Sequence, residues 1–364
     1  MTPTMNTVKA MVLSAGEGRR LRPLTVHWAK PAIPLLGATP IEYAVGLLRE
    51  AGIREVVVNL HHNPESIVEA LEAMDQGQDF ALHYSREAEL LGTAGGLKQA
   101  EELLAGGSFV VLNGDTIVDL DLGPMIDWHR DKKAAATLLL RPRPARSDYT
   151  ELGIAEDGRV VSIGQRSHES SSSRSPLMFA GVWVLEPSVF EHLHRGQFAR
   201  LEVDLLPKLI VEGSVFGYVA DATWFDIGTP ERYLNACEQL VKEGLFERQW
   251  RVRSIEPPSD SPPGTAVLVG PGTRVDPGAR FSGTTILGAD CVVERGARIQ
   301  GAVLWDRVSV SEGALIRKSV VASDVSLAAS TTTVGKVVAR IGSDRATIRA
   351  REVVGDCVVA EIKD

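Results

Sequence analysis

Residues 8–25 read Val8-Lys9-Ala10-Met11-Val12-Leu13-Ser14-Ala15-Gly16-Glu17-Gly18-Arg19-Arg20-Leu21-Arg22-Pro23-Leu24-Thr25, and Lys30-Pro31 and Pro34 follow shortly after. The apolar run from Val8 to Leu13 predicts a buried first strand. At its carboxyl end the chain breaks into Gly16-Glu17-Gly18. In an open α/β sheet, ligands bind in the crevice outside the carboxyl ends of the strands. Glycines there let backbone N–H groups approach an anion closely, and Arg19, Arg20, Arg22 and Lys30 place four positive charges within twelve positions. The turn suits a phosphate.

Two common phosphate motifs are excluded. A P-loop needs Gly-Lys followed by Ser or Thr at a helix start, and this stretch has none. A dinucleotide fingerprint needs a third glycine opening a long helix, but Leu21 stands there and Pro23 stops helix just beyond. Taken alone, the glycine pair is equally a plain tight turn. The whole run, Leu13-Ser14-Ala15-Gly16-x-Gly18-x-Arg20-Leu21-x-Pro23-Leu24-Thr25 with Lys30-Pro31-x-x-Pro34, resembles the signature of the sugar-1-phosphate nucleotidyltransferases, or nucleotide-sugar pyrophosphorylases. The resemblance spans about residues 8–243 and implies an α/β fold with a Rossmann-like, mostly parallel sheet.

A chain of 364 residues exceeds one ordinary domain, so two are expected. With 44% hydrophobic and 24% charged residues it has the composition of a soluble protein with real cores. Its net charge of −8 argues against a general nucleic-acid binder, whose footprint is a basic domain. The basic cluster at 19–30 is therefore local. Cys237, Cys291 and Cys357 form no CxxC pair and no disulfide framework, which suits a reducing cytoplasm. No leader pattern and no long uninterrupted apolar segment is evident, so neither export nor a membrane is expected.

From residue 8 to about 245, strand and helix signals alternate. Thr39-Pro40 opens a helix that Gly52 stops, Glu55–Leu60 is a β-branched strand, and Asn63-Pro64 caps a helix to about Met74. Phe80–Tyr84 reads as a strand, 94–104 as one helix, and Phe109–Leu112 as an apolar strand ending at Asn113-Gly114-Asp115. This βαβ rhythm implies helices on both faces of a parallel sheet. Ala134–Leu140 and Phe179–Leu185 read as further strands, the serine-rich Arg166–Pro176 as a surface loop, and Thr229-Pro230 as a helix start.

Past residue 250 the pattern changes. Pro257-Pro258 and Pro262-Pro263-Gly264 punctuate a linker, so the expected organisation is a catalytic domain over 1–248, a linker over 249–264 and a second domain over 265–364. A Gly-Ala pair recurs at 278/279, 296/297 and 313/314, flanked at matching offsets by Val275 and Phe281, Val293 and Ile299, and Val310 and Ile316. This is a hexapeptide repeat, the mark of a parallel β-helix with three short strands per turn. By resemblance the β-helix is left-handed and most like that of mannose-1-phosphate guanylyltransferases. The catalytic half is also similar to N-acetylmuramate-1-phosphate uridylyltransferases, which lack a β-helix. The repeat fades after Thr331, and the tail reads as a cap or an oligomer contact.

The reaction the resemblance implies is attack of a sugar 1-phosphate on the α-phosphate of a nucleoside triphosphate, releasing pyrophosphate. A phosphomonoester has a second pKa near 6, so the nucleophile is ionised without a general base. The difficulty is bringing two anions together, which calls for a divalent metal, Arg and Lys. Asp115 and Asp226 each end an apolar strand and are hard oxygen ligands suited to Mg²⁺; by resemblance they hold the metal. Read alone, Asp115 belongs equally to an Asn-Gly hairpin turn and Asp226 to a solvated turn.

By the same resemblance Arg20 grips the triphosphate and Lys30 reaches the phosphates at the reaction centre, whereas Arg19 and Arg22 fit surface arginines on a solvated loop better. Leu13, Ala15, Gly16, Glu17, Gly18, Arg19, Asn113 and Gly114 line the nucleotide, and Gly92, Thr93 and Ala94, with Glu87 upstream, form the base-and-ribose loop. Glycine there is expected to permit close approach of a flat base. His61 and His62 read as structural. Gly153, Gln165, Arg166 and Gly181 take the sugar-phosphate positions. Here the chain departs from the pattern: Gln165-Arg166-Ser167 replaces a common Glu-Lys-Pro, and Phe179-Ala180-Gly181 a common Asn-Ala-Gly. Both changes bear on which sugar is bound, while GTP and UTP are both expected as candidate nucleotides.

Two other functional classes fit the sequence less well. An acyltransferase β-helix needs a histidine base, yet the last histidine is His194. A non-catalytic regulatory subunit has usually lost the arginine, the lysine or an aspartate, and all are present here. A homo-oligomer assembled partly through the β-helix is expected.

Overall fold

The computed structural model describes residues 8–74, 80–144, 147–164, 166–167, 176–244, 252–340, 352–354 and 356–362. By contact the chain divides into two compact units, Met1–Glu17 with Pro40–Phe225, and Gly18–Thr39 with Asp226–Asp364. This grouping does not follow chain order. The loop after the first strand clusters with the carboxyl-terminal residues rather than with the sheet it leaves.

In the first unit, β1 (Lys9–Leu13), α1 (Pro40–Glu50), β2 (Glu55–Leu60), α2 (Pro64–Glu72), β3 (Ala81–Arg86), α3 (Gly92–Gln99), α4 (Glu101–Leu104) and β4 (Phe109–Asn113) give the expected alternation. Their strands are all parallel, in the order β3-β2-β1-β4. Helix α1 buries Ile41, Ala44, Val45 and Leu48, one helical face, and Gly52 ends it in a left-handed conformation at φ 79°. Two expectations are corrected. Asn63 is left-handed and its side chain does not cap α2, and the single helix over 94–104 is broken at Ala100.

Beyond β4 come β5 (Thr116–Asp119), α5 (Leu122–Lys132), β6 (Ala136–Pro142), β7 (Glu151–Ile154), β8 (Val160–Ile163), β9 (Arg166–Ser167), β10 (Leu177–Leu185), α6 (Leu206–Val211), β11 (Val215–Val219) and β12 (Thr223–Asp226). Here the sheet is mixed: β10 runs antiparallel to β4, β6 and β7, while β11 is parallel to β6. Short connections such as the β7–β8 hairpin force antiparallel pairing, which a crossover helix does not. Strand β5 leaves the main sheet and pairs with β12, so Asn113-Gly114 is not a hairpin turn between β4 and β5. The core includes fully buried Trp183 and a stacked Phe109–Phe190 pair with ring centroids 5.4 Å apart.

The second unit holds α7 (Pro230–Lys242), then β13 (Arg253–Ile255) and a solenoid. Its coils are β14 (Ala266–Val269), β15 (Arg274–Val275) and β16 (Arg280–Ser282); β17 (Thr284–Leu287), β18 (Val292–Val293) and β19 (Arg298–Gln300); β20 (Val303–Leu304), β21 (Ser309–Val310) and β22 (Leu315–Arg317); and β23 (Val320–Val321), β24 (Ser326–Leu327) and β25 (Thr332–Val334). Each strand pairs in parallel with its equivalent in the next coil, as in Phe281, Ile299, Ile316 and Thr333. The corners explain the repeat. Gly296, Gly313 and Ser330 are left-handed at one corner, Gly283, Gly301, Lys318 and Gly335 at another, and Gly272, Asp290, Arg307 and Asp324 at the third. The alanine after each repeat glycine (Ala279, Ala297, Ala314) is fully buried inside the coil. The regular coil also outlasts the repeat: β26 (Lys336–Arg340) continues the stack, and β27 (Glu352–Val354) and β28 (Cys357–Glu361) then close its edge with antiparallel pairing. This cap covers backbone groups that an open edge would expose.

Candidate active site

Within the first unit, a chain of hydrogen bonds ties the carboxyl ends of β1 and β2 to α3. Ser14 N–H donates to Asn59 Oδ1 at 2.7 Å, Asn59 Nδ2 to Glu87 Oε1 at 2.7 Å, and Leu91 N–H to Glu87 Oε2 at 2.9 Å. Asn59 and Glu87 are buried, so these bonds satisfy groups that would otherwise be costly. One oxygen of Glu87 is thereby given to Asn59 on β2 and the other to the loop at Leu91, and the residue supports the base-loop candidate from inside. His61 Nδ1 donates to the Glu87 carbonyl at 3.0 Å.

The glycines of the Leu91–Gly96 stretch are used by the chain itself. A Cβ on Gly92 would lie 2.5 Å from the Ala199 carbonyl, and one on Gly95 2.4 Å from that of Gln197. Ala94 N–H and Gly95 N–H donate to Ala199 O at 2.9 and 3.1 Å, and Leu201 N–H to Thr93 Oγ1 at 2.8 Å. The close approach expected for a base is thus made, at these two glycines, to residues 197–199. Gly16 differs: a Cβ there would meet no atom within 4 Å, which leaves open space beside the turn after Leu13 and Ala15. Gly114 N–H donates to Leu13 O at 2.9 Å, and its missing side chain admits Ser14 Oγ. Asn113 therefore ends β4 beside Leu13 of β1, and half-buried Asp115 follows, at the carboxyl ends of the parallel strands.

Of the sugar-phosphate candidates, Gly153 lies on β7 opposite Ser162, and Gly181 sits at the irregularity in β10 against Thr116. Arg166 is on β9, and Gln165 lies outside the described residues, as does most of the serine-rich loop. Phe179 packs on Trp183 with ring centroids 4.7 Å apart, so core packing takes up this side chain.

Within the second unit the cations of the glycine loop lie near a carboxylate. Gly18 is left-handed at φ 60°, and a Cβ there would lie 2.9 Å from Thr25 Cγ2 and 3.0 Å from Lys30 Cβ. Thr25 Oγ1 donates to Gly18 O at 2.8 Å, which closes the loop on itself. Arg19–Leu21 form a single tight helical turn, with extended Arg22 after it, as Pro23 requires. Lys30 is buried, and its Nζ stands 3.8 Å from Asp226 Oδ1. Arg232 Nη1 donates to Asp226 Oδ2 at 2.6 Å. Thr229 caps α7 by accepting from Arg232 N–H at 3.2 Å, a bond type worth about 1 kcal/mol. A Cβ on Gly228 would lie 2.9 Å from Asp226 Oδ1 and 3.0 Å from Arg20 Nη2, so this glycine leaves room for both groups beside it. Lys30 and Arg232 thus flank Asp226, with Arg20 nearby at Gly228. Both Arg19 and Arg20 are exposed.

Sequence reading missed Asn59, Arg232 and Tyr233. Asn59 carried a signal, a polar residue inside the β-branched strand Glu55–Leu60. Arg232 carried none, because an arginine in the first turn of a surface helix reads as solvated. Tyr233 Oη donates to the Pro34 carbonyl and is fully buried; burial and the neighbouring Cys237 push its pKa well above the usual tyrosine value, so it stays protonated.

A phosphate-suited loop at the carboxyl ends of parallel strands, strand-end carboxylates and a β-helix later in the chain define a phosphate-handling α/β enzyme. Comparison with known proteins gives the family. The chain belongs to the Nucleotidyl transferase family, whose profile matches residues 9–243, and the GMPPB C-terminal domain matches residues 264–364. It is 30% identical over 315 residues to a mannose-1-phosphate guanylyltransferase of Mycobacterium tuberculosis, covering 85% of this chain and 83% of that protein. It is also 30% identical over 342 residues to a UTP–glucose-1-phosphate uridylyltransferase of Synechocystis, covering 84% and 85%. The crystal structure of HddC from Yersinia pseudotuberculosis matches with a TM-score of 0.54 at 26% identity, covering 64% of this chain and 99% of that one. Among the described residues, no helix is long and apolar enough to cross a membrane.

Proposed function

We propose that this chain transfers the guanylyl group of GTP to mannose 1-phosphate, giving GDP-mannose and pyrophosphate. The observation that carries the reading is that Lys30 and Arg232 flank Asp226 with Arg20 nearby at Gly228, Arg20 and Lys30 lying in a loop whose sequence is that of the family. Three cations near one locus exceed what a single carboxylate neutralises, and they suit a triphosphate whose charge grows on the leaving pyrophosphate. Arg20 binds the triphosphate, Lys30 the phosphates at the reacting centre, and Arg232 holds Asp226 in place. The nucleophilic phosphate is already ionised, so no side chain need take a proton.

Asp115 and Asp226 fit a divalent metal by donor chemistry. Both are carboxylates, and no cluster of three metal-ligating side chains occurs among the described residues. Such a set suits Mg²⁺, which takes one or two carboxylates and completes its shell with water and substrate phosphates. When bound, the ion neutralises charge on the phosphates. Gly153, Gln165, Arg166 and Gly181 are proposed for the sugar phosphate. The three described cysteines are all buried free thiols, which supports a reducing, cytoplasmic setting. Assembly into a homo-oligomer partly through residues 265–364 is part of the same proposal.

A uridylyltransferase is the second reading, favoured by the Synechocystis relative at equal identity. A product screen pairing GTP, UTP, dTTP and ATP with mannose 1-phosphate, glucose 1-phosphate and N-acetylmuramate 1-phosphate decides between them. GDP-mannose as the fastest product is expected. UDP-glucose as the fastest product establishes the second reading instead.

A further inference from the structure

We propose that Trp305, in the β-helix, is a positioning residue for the loop that carries Lys30. The inference rests on the nucleotidyl-transfer reading above. Trp305 follows β20 and is 1% exposed. Its indole Nε1 donates to Tyr233 Oη at 3.0 Å, and that hydroxyl donates to the Pro34 carbonyl. The direction of this chain is fixed by chemistry. An indole N–H can only donate, a proline carbonyl can only accept, and one hydroxyl does both. The indole ring also meets Trp28 edge-on, with centroids 6.3 Å apart and planes at 80°.

Trp28 lies just before Lys30 in the chain and Pro34 just after it. Both flanks of the lysine are therefore tied to a single indole, one by ring packing and one through Tyr233. On α7, Tyr233 adjoins Arg232, which holds Asp226 at 2.6 Å. The indole is itself fixed inside its coil, where Cys291 Sγ donates to the Trp305 carbonyl at 3.0 Å. Trp305 acts through the shape of residues 28–34 and the set of α7, which together place Lys30, Asp226 and Arg232.

Core packing alone is the competing explanation, and the two differ in what they move. A positioning role places the lysine against charge that develops in the transition state, so its loss lowers kcat more than it raises KM. The test uses the full-length chain, with GTP and mannose 1-phosphate as substrates. Trp305→Phe keeps a ring and removes the N–H, and Tyr233→Phe removes the hydroxyl. Each is expected to lower kcat about tenfold with KM for GTP changed less than about threefold. The double variant is expected to fall no further than the worse single, because both break one chain. Hydrogen exchange should accelerate in peptides covering residues 19–36.

Ile316→Ala, within the β-helix core, is the control: a similar fall in Tm should leave kcat unchanged. Parent-like kcat in Trp305→Phe and Tyr233→Phe overturns the proposal. So does an equal fall in kcat in Ile316→Ala, which makes the effect general destabilisation, or faster exchange confined to β-helix peptides. If the parent chain forms no nucleotide sugar from any pair, the functional reading fails instead, and the exchange data still decide the positioning role.

Discussion

Asp226 bears opposed demands. It is proposed to hold a metal, yet it already bonds Arg232 at 2.6 Å and faces Lys30 at 3.8 Å. Replacing it with alanine removes the carboxylate between two partly buried cations, so stability would fall along with activity. Asparagine is the cleaner substitution, because it keeps the volume and removes the charge. Asp115→Asn and Asp226→Asn are each expected to lower turnover at least a hundredfold, about 3 kcal/mol, with Mg²⁺ in excess. Steady-state kinetics with folded variants checks this, and near-parent turnover in Asp226→Asn contradicts the two-carboxylate site. Asp115 and Asp226 were legible in the sequence because each ends an apolar strand before a break. Glu87 was legible as a member of the loop, but its burial was not. Nothing in a linear sequence shows that Asn59 and the Leu91 N–H take up its two oxygens.

At the scale of elements, the turn Arg19–Leu21 separates two adjacent arginines that look alike in sequence. Both are exposed, but Arg20 Nη2 comes close to Gly228 beside Asp226. Arg20→Ala is expected to lower kcat more than it raises KM, while Arg19→Ala stays within about threefold of the parent. Equal effects would show that the loop presents a different arginine to the phosphates. The first βαβ elements were legible because period and punctuation agree there. The antiparallel second half was not, since a strand's direction depends on its connection rather than its composition. In the β-helix, corners built on Gly296 and Gly313 were visible, whereas Asp290, Arg307 and Asp324 take the same left-handed conformation without a glycine to mark it. The last coil was likewise hidden, because Ser330-Thr331 replaces the Gly-Ala pair while the strand register continues through Thr333.

Across the whole molecule, contact grouping departs from chain order in one respect. Residues 18–39 belong with α7 and the β-helix, although they follow β1 directly. Sequence reading gives boundaries along the chain and is blind to such regrouping, which depends on residues far apart in sequence, such as Tyr233 and the Pro34 carbonyl it bonds. The proposed assembly is checked by light scattering. A mass at a multiple of 39.3 kDa is expected, and a mass of 39.3 kDa at all concentrations contradicts it. The central claim concerns which bond of the nucleotide is broken. It is tested most directly by incubating the full-length chain with mannose 1-phosphate, Mg²⁺ and GTP carrying phosphorus label at either the α or the γ position. Nucleotidyl transfer predicts that α-label appears in GDP-mannose and γ-label in pyrophosphate. Label from the γ position on the sugar, or GDP released without sugar nucleotide, would contradict the account.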